Sequence, residues 1–354
     1  MDKVKVGIIG AGNISELHVQ GYKKLENVEL VAVCDLDKEK AEEYAAKHDI
    51  PNIFTDYNKM LKMEDLDAVS VTTWNNSHAP ISIAAMKAGK DVLCEKPLAM
   101  NADEAQKMVD TSKETNKLLM VGFVRRFEKN ANYIKETIEN DDLGNVYYAK
   151  TGYMRKWGNP GGWFCDKKRS GGGPVIDLGV HVIDLISYLT GKPKAVSVMA
   201  STFEHLGLKP YIKGMSKYNA KDYDKDNPFC DVEDSATALI KYDNGMTLSI
   251  ETSWVLHTKE DNNYLMLYGD KAGVKMEPEL EFYKEHNDYF VEERPIVKEE
   301  EDKFSAIFQR ETAHFIDCII NNTECRNPGE DGVAIMKILD AIYESARSGH
   351  EVIL

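Results

Sequence analysis

Short apolar runs alternate with amphipathic stretches through the first third of the chain. "VKVGII", "VELVAVCD", "DAVSVTT", "DVLCEKP" and "KLLMVGF" read as strands, with helices from about Ile14, over "DKEKAEEYAAKH" and over "APISIAAMKAG". Strand and helix in this rhythm imply a parallel sheet with right-handed crossovers, a doubly wound α/β domain. Asn101 followed by Glu104 marks a further helix start, with Glu104 placed to reach back to the Asn101 amide.

From about residue 124 the rhythm changes. A helix over "EKNANYIKETIEN" precedes strand-like runs, "NVYYAKTGYM", "AVSVMASTF", "DSATALIKY", "MTLSIETSWVL" and "YLMLYGD", with a turn signal at Asp243 to Gly245. These predict an α+β domain on a mostly antiparallel sheet, carrying one apolar helix at about residues 174 to 190. The stretch 204–231 has little periodicity and reads as a long loop that serves as lid, contact or mobile segment. "FSAIFQRETAHFIDCIINN" and "DGVAIMKILDAIYESARSG" predict two C-terminal helices. The expected division is 1–123 and 124–354, with the helices at about 304–348 able to pack back on the first domain.

Composition narrows the class. The 354 residues suit two domains, and 43% hydrophobic with 29% charged residues is the balance of a globular chain. No apolar run approaches the roughly 18 residues of a transmembrane helix, and "VKVGIIG" starts a strand where a secretory signal would lie. The six cysteines show no paired spacing of a disulfide framework or zinc site, which points to a reducing cytoplasm. The net charge of −15 argues against nucleic-acid and membrane partners, which call for clustered Lys and Arg. It leaves a small-molecule substrate open, because a local pocket can oppose the global field.

Gly10-x-Gly12-x-x-Ser15 directly follows the first strand and opens a helix, with Asn13 and Ile14 at the turn and Asp35 closing the second strand. Gly10 permits the tight turn, Gly12 lets the backbone approach a pyrophosphate, and the third position takes a small residue. Asp35 would accept hydrogen bonds from ribose hydroxyls and repel a 2′-phosphate, favouring NAD over NADP; its plainer use is as a helix cap. Another strand ends in Glu95, Lys96 and Pro97. Such an end delivers Lys96 beside a nicotinamide, or leaves it paired with Glu95 on the rim. Pro97 limits Lys96 to extended backbone.

In "SGGGPVIDLGVHVIDLISYLTG", Asp177, His181, Asp184 and Tyr188 recur at spacings of four, three and four, a polar stripe on an apolar helix. Such a stripe must find partners or face a pocket. His181 has two other readings, a hydrogen-bonded core histidine and a metal triad with Asp177 and Asp184. Nothing else in the chain supplies an obvious further ligand, so no metal is expected. Glu311 and His314 read as a helix surface or core pair.

Taken in order, "GAGNIS", "EKP", "GGGPVIDLGVHVIDL" and "KILDAIYESARSG" resemble the glucose-fructose oxidoreductase, inositol dehydrogenase and rhizopine-catabolism family, Gfo/Idh/MocA, over essentially the whole chain. The resemblance implies an N-terminal Rossmann domain, a C-terminal domain on a large open sheet, a tightly bound nicotinamide nucleotide, and a dimer or tetramer formed through the sheet face. It implies Lys96, Asp177 and His181 as the catalytic set, acting on a secondary hydroxyl of a sugar, sugar derivative or inositol. It sets Thr73, Asn75, His78, Glu95, Lys96 and Arg126 near the cofactor; Trp74 either lines the nicotinamide pocket or simply packs, and Trp163 is either a pocket wall or a core residue. Where the family usually has Thr-Pro-Asn, this chain has Thr73, Trp74 and Asn75. The chemistry of the three residue types agrees. Neutral His181 suits removal of a hydroxyl proton at about pH 7, Asp177 can orient it or hold a neighbouring hydroxyl, and Lys96 can stabilise a developing alkoxide. Two rival functions are an NAD-dependent glycosidase working by transient oxidation and elimination, and a non-catalytic nucleotide-binding sensor or repressor.

Overall fold

The computed structural model describes residues 3–208, 220, 222, 224, 226–298 and 303–354. The chain divides into two units, one of Met1–Phe127 with Glu299–Met336 and one of Glu128–Lys298 with Lys337–Leu354.

Six strands build the first unit: β1 (Val4–Ile9), β2 (Val28–Cys34), β3 (Asn52–Phe54), β4 (Ala68–Val71), β5 (Asp91–Glu95) and β6 (Leu119–Gly122). They pair in parallel in the order β3-β2-β1-β4-β5-β6, the doubly wound arrangement expected, and the order reverses between β1 and β4. Helices α1 (Asn13–Tyr22), α2 (Lys38–His48), α3 (Tyr57–Met60), α4 (Asn75–Lys87) and α5 (Ala102–Thr115) fill the crossovers. Covered on both faces, β4 and β5 are almost wholly buried, which is why they read as continuous apolar runs. Two helix starts differ from expectation. Helix α4 begins four residues early, at Asn75, and takes Pro80 into its body. At α5 the Glu104 amide donates to Asn101 Oδ1 at 2.9 Å as a cap should, but the Glu104 carboxylate receives the Met100 amide, at 3.4 Å, instead of that of Asn101.

The second unit contains α6 (Lys129–Glu139), β7 (Val146–Met154), α7 (Lys167–Ser170), α8 (Val180–Leu189), β8 (Ala195–Phe203), β9 (Ser235–Tyr242), β10 (Thr247–Ser253), β11 (Asn262–Gly269), β12 (Ala272–Glu277), β13 (Glu281–His286), β14 (Tyr289–Glu293) and β15 (Val352–Ile353). Its nine-stranded sheet has the order β14-β13-β12-β11-β7-β10-β9-β8-β15, parallel between β7 and β10 and antiparallel at the other pairings. The sequence pattern gives no sign of β13 and β14. Their turn is made by Asn287 and Asp288, both at positive φ, where a glycine would have announced a hairpin.

Two long helices close the chain, α9 (Lys303–Asn321) and α10 (Gly329–Ser348). Helix α9 groups with the first unit, as does α10 up to Met336; from Lys337 the same helix belongs to the second. Among the described residues, the stretch Lys167–Leu189 is apolar and long enough by composition to cross a membrane, and 89% of its apolar window is buried within the fold, as in a core helix. Of the long loop read at 204–231, residues 209–219, 221, 223 and 225 lie outside the described residues.

Candidate active site

The glycine turn of the first unit has the shape a dinucleotide needs. Gly10 sits at φ +99°, and a Cβ there would press on Thr72 O at 2.7 Å. At Gly12 a Cβ would meet nothing nearer than Thr72 O at 3.9 Å, so this position is open to close approach. No side chain caps α1, whose N-cap is Gly12, and its first amides are left to a ligand's negative charge. Ser15, in the third position, is buried and donates to Gly12 O at 2.7 Å. These features fit a nucleotide pyrophosphate. Asp35 Oδ2 accepts the Ala11 amide at 2.9 Å and Lys40 Nζ at 2.7 Å, bracing the turn. The cap of α2 is a different residue, Asp37.

At the carboxyl end of β5, Lys96 is the one residue between Val92 and Ala99 that is not buried. Glu95 is not on the rim. It turns inward, with Oε1 2.8 Å from His18 Nε2 and Oε2 accepting the Lys96 amide at 3.1 Å. Burial pushes its carboxyl up, but the His18 hydrogen bond and the neighbouring positive charge, that of Lys96 included, outweigh burial and hold it below the usual carboxylate range.

Two further residues expected at the cofactor are used inside the unit. His78 has no exposure; Nδ1 lies 2.7 Å from Pro97 O and Nε2 3.2 Å from Thr73 O. Burial lowers its pKa against the pull of these two carbonyls, and the ring braces the exit of the chain after Lys96. Arg126 is 1% exposed, and its Nη1 donates to Asp331 Oδ2 and to Arg326 O, both at 2.6 Å. A guanidinium so enclosed has no surface left for a nucleotide. Thr73 and Trp74 are open at the start of α4, and Asn75 is buried there.

In the second unit the expected helix is not uniformly α-helical. Val175–Gly179 form a π-type turn, a feature common at functional sites, before α8 continues. Between Gly172 and Leu189 only Asp177 and His181 are not buried. The lower half of the polar stripe faces inward: Asp184 is 1% exposed, and Tyr188 is buried under the Lys135 ammonium, 4.8 Å from its ring. Asp177 and Asp184 thus face different surroundings, which corrects the single stripe. Asp177 Oδ2 accepts the indole N–H of Trp254 at 3.0 Å. Arg155 lies in the same field; burial pulls its pKa down, and the charge of Asp177 leads the effects that raise it overall.

The glycine run before this helix has a partner that no sequence pattern announced. Glu233 is buried, with Oε2 accepting the Gly173 amide at 3.0 Å and Oε1 accepting the Val175 amide at 3.0 Å and the Tyr343 hydroxyl at 2.9 Å. Side chains at Gly172 and Gly173 would collide with Tyr343 and with the Glu233 backbone. Burial pushes the Glu233 carboxyl up against these donors. Trp163 is half-buried, its ring 4.0 Å from Phe164, which in turn meets buried Trp254 edge-on.

Four cysteines lie in through-space pairs that spacing did not reveal, Cys318 with Cys325 and Cys165 with Cys230. Among the described residues, two groups come within metal-ligating distance of one another, His314–Cys318–Cys325 and His18–Glu95–Glu311. Glu311 and His314 therefore belong to separate clusters. His314 Nε2 lies 3.5 Å from Cys318 Sγ and already accepts the Arg326 amide at 2.9 Å, which fills its lone pair.

Comparison with known proteins agrees with both units. The oxidoreductase family model with an NAD-binding Rossmann fold, Gfo/Idh/MocA, matches residues 4–123, and the C-terminal α/β domain of the same family matches residues 135–354. D-glucoside 3-dehydrogenase of Escherichia coli K12 is 32% identical over 99% of this chain and 97% of that protein. Levoglucosan dehydrogenase of Pseudarthrobacter phenanthrenivorans is 29% identical over 77% of this chain and 73% of that protein. A solved structure of levoglucosan dehydrogenase with NADH shares the fold at a TM-score of 0.87 and 24% identity, covering 99% of both chains. The chain belongs to the Gfo/Idh/MocA oxidoreductase family, with an NAD-binding Rossmann domain and the family's C-terminal α/β domain.

Proposed function

We propose that the protein is an NAD-dependent dehydrogenase that oxidises a secondary hydroxyl of a glycoside or related sugar or cyclitol to a ketone, or runs the reverse. One observation carries this reading: in two otherwise buried segments, the residues that keep partial exposure are Lys96 in one and Asp177 and His181 in the other. A cation, a carboxylate and an imidazole are the groups such a reaction needs. When bound, the nicotinamide nucleotide supplies the hydride acceptor. His181 takes the hydroxyl proton as general base. Lys96 donates a hydrogen bond to the reacting oxygen and stabilises its growing negative charge. Asp177, fixed by Trp254, holds the imidazole or an adjacent hydroxyl in register. The relatives named for glucoside, levoglucosan and inositol oxidation support the substrate class.

Asp35 at the end of β2 supports NAD over NADP. A cytoplasmic setting is in keeping with six free cysteines. A homodimer or homotetramer through the sheet of the second unit is supported by the exposed cross-strand pair Met199 and Leu239. A net charge of −15 supports the absence of nucleic-acid and membrane partners.

The test is nicotinamide reduction with NAD and NADP across alkyl glucosides, levoglucosan, free aldoses and inositols. Turnover that is lost in Lys96→Ala and in His181→Ala, with NADH binding kept, is the expected result. Binding of NADH with no turnover of any polyol would favour the sensor. Release of an aglycone without net nicotinamide reduction would favour the glycosidase.

A further inference from the structure

A buried polar chain runs through the first unit behind Lys96, and the chemistry above does not use it. His18 and Tyr22, one turn apart on α1, meet Ser70 of β4 and Glu95 of β5. The Tyr22 hydroxyl lies 2.8 Å from Ser70 Oγ, which lies 3.3 Å from His18 Nδ1, and His18 Nε2 lies 2.8 Å from Glu95 Oε1. All four residues are buried. Glu311 of α9 brings a second carboxylate within 4.8 Å of the His18 and Glu95 ligand atoms.

Hydrogen inventory gives the chain its sense. Ionised Glu95 can only accept, so His18 Nε2 carries the proton in either charge state of the ring. Nδ1 then exchanges a hydrogen bond with Ser70, whose other partner is Tyr22. The far oxygen of Glu95 receives the Lys96 amide at 3.1 Å. Gly122 on neighbouring β6 leaves room for this, since a Cβ there would come within 3.2 Å of the Glu95 Cα and carboxylate. The carboxylate is gripped from behind by His18, and in front it holds the backbone of the residue that faces out.

We propose that His18 is a positioning residue for Lys96, acting through Glu95 to fix the backbone from which the ammonium is presented. The inference rests on Lys96 serving turnover as proposed above. A buried pair that merely stabilised the fold would leave the Lys96 amide and the turnover number indifferent to which donor stood at position 18.

The experiment uses the full chain with His18→Leu, which removes the donor, and His18→Gln, whose amide can place an N–H near the position of Nε2. Hydrogen exchange at the Lys96 amide is read in the free protein, and kcat and the NADH Kd are read beside it. In His18→Leu the Lys96 amide is expected to exchange about tenfold faster or more, and kcat to fall about tenfold or more, with NADH Kd within about threefold of the parent. His18→Gln is expected to recover most of both. Unchanged Lys96 exchange in His18→Leu, or equal kcat in the two variants, would overturn the proposal. Should the parent protein turn over no sugar, the dehydrogenase reading fails, and the exchange result alone still decides the role of His18. If His18→Leu does not fold, Tyr22→Phe removes only the remote hydroxyl, and a severalfold change in the same two readouts is expected; no change there counts against the proposal.

Discussion

Replacing Trp254 by Phe separates what holds Asp177 from what performs the chemistry. Trp254 is fully buried, and its indole N–H is the donor to Asp177 Oδ2 at 3.0 Å. Phe keeps an aromatic ring but has no N–H and fills less volume. A hydrogen bond to a charged group contributes about 1.5–3 kcal/mol. Asp177 is partly exposed, so water can replace part of that, and a net loss of about 1–2 kcal/mol at the carboxylate is reasonable. The smaller side chain adds roughly 1–2 kcal/mol in lost packing. If Asp177 aligns the reacting groups, its share appears in the transition state, and kcat/KM should fall roughly 5- to 30-fold. The packing share appears as a lower Tm by several degrees, at about 2–4 °C per kcal/mol for a unit of this size. The assay is steady-state nicotinamide reduction beside NADH titration and thermal melting. Because the glycine turn belongs to the other unit, NADH affinity should not change. Full activity with a lowered Tm would refute the reasoning, because it would leave the Trp254 contact purely structural.

Four further outcomes are expected. Gly12→Ala should leave the free protein's Tm within about 2 °C, because its Cβ meets nothing closer than 3.9 Å, yet weaken NADH binding about tenfold by occupying the phosphate approach. Gly10→Ala, at φ +99° and against Thr72 O, should instead destabilise by about 1–3 kcal/mol in urea titrations. Asp35→Ser should raise kcat/KM for NADP relative to NAD by about tenfold or more, since it removes the repulsion and frees Lys40 for a 2′-phosphate. The depressed carboxyl of Glu95 contributes stability that is complete above the unfolded value of about 4.3 and is lost as pH falls through its lower folded value, so Glu95→Gln should flatten the acid limb of stability below about pH 5 in urea titrations.

What the sequence made legible follows physical kinds of signal. The parallel sheet could be read because strands buried on both faces must be continuously apolar, and the glycine turn because its backbone shape excludes side chains. Lys96, Asp177 and His181 stood out as polar residues in apolar stretches, and they are the ones that keep partial exposure. The polar stripe failed at Asp184 and Tyr188 because spacing alone does not say where a buried face begins, and the π-type turn at Val175–Gly179 shifts Asp177 relative to the residues of α8. Arg126 and His78 were set at the cofactor by resemblance, whereas their hydrogen bonds run to Asp331 and Pro97. Glu233, Trp254 and His18 act through backbone amides or through other side chains, and such partners lie far off in sequence. The hairpin of β13 and β14 was hidden because Asn287 and Asp288 do the work of glycine. The thiol pairs were missed because they form through space.

Deuterium transfer tests the central claim most directly. A glucoside or inositol deuterated at its carbinol carbons is supplied with NAD, and the reduced nicotinamide is analysed by mass for the parent, Lys96→Ala and His181→Ala. The account predicts deuterium on the nicotinamide and a primary isotope effect in the parent, with transfer abolished in both variants while NADH binding persists. Transfer at the parental rate in either variant, or no deuterium on the nicotinamide while the substrate is consumed, would contradict it.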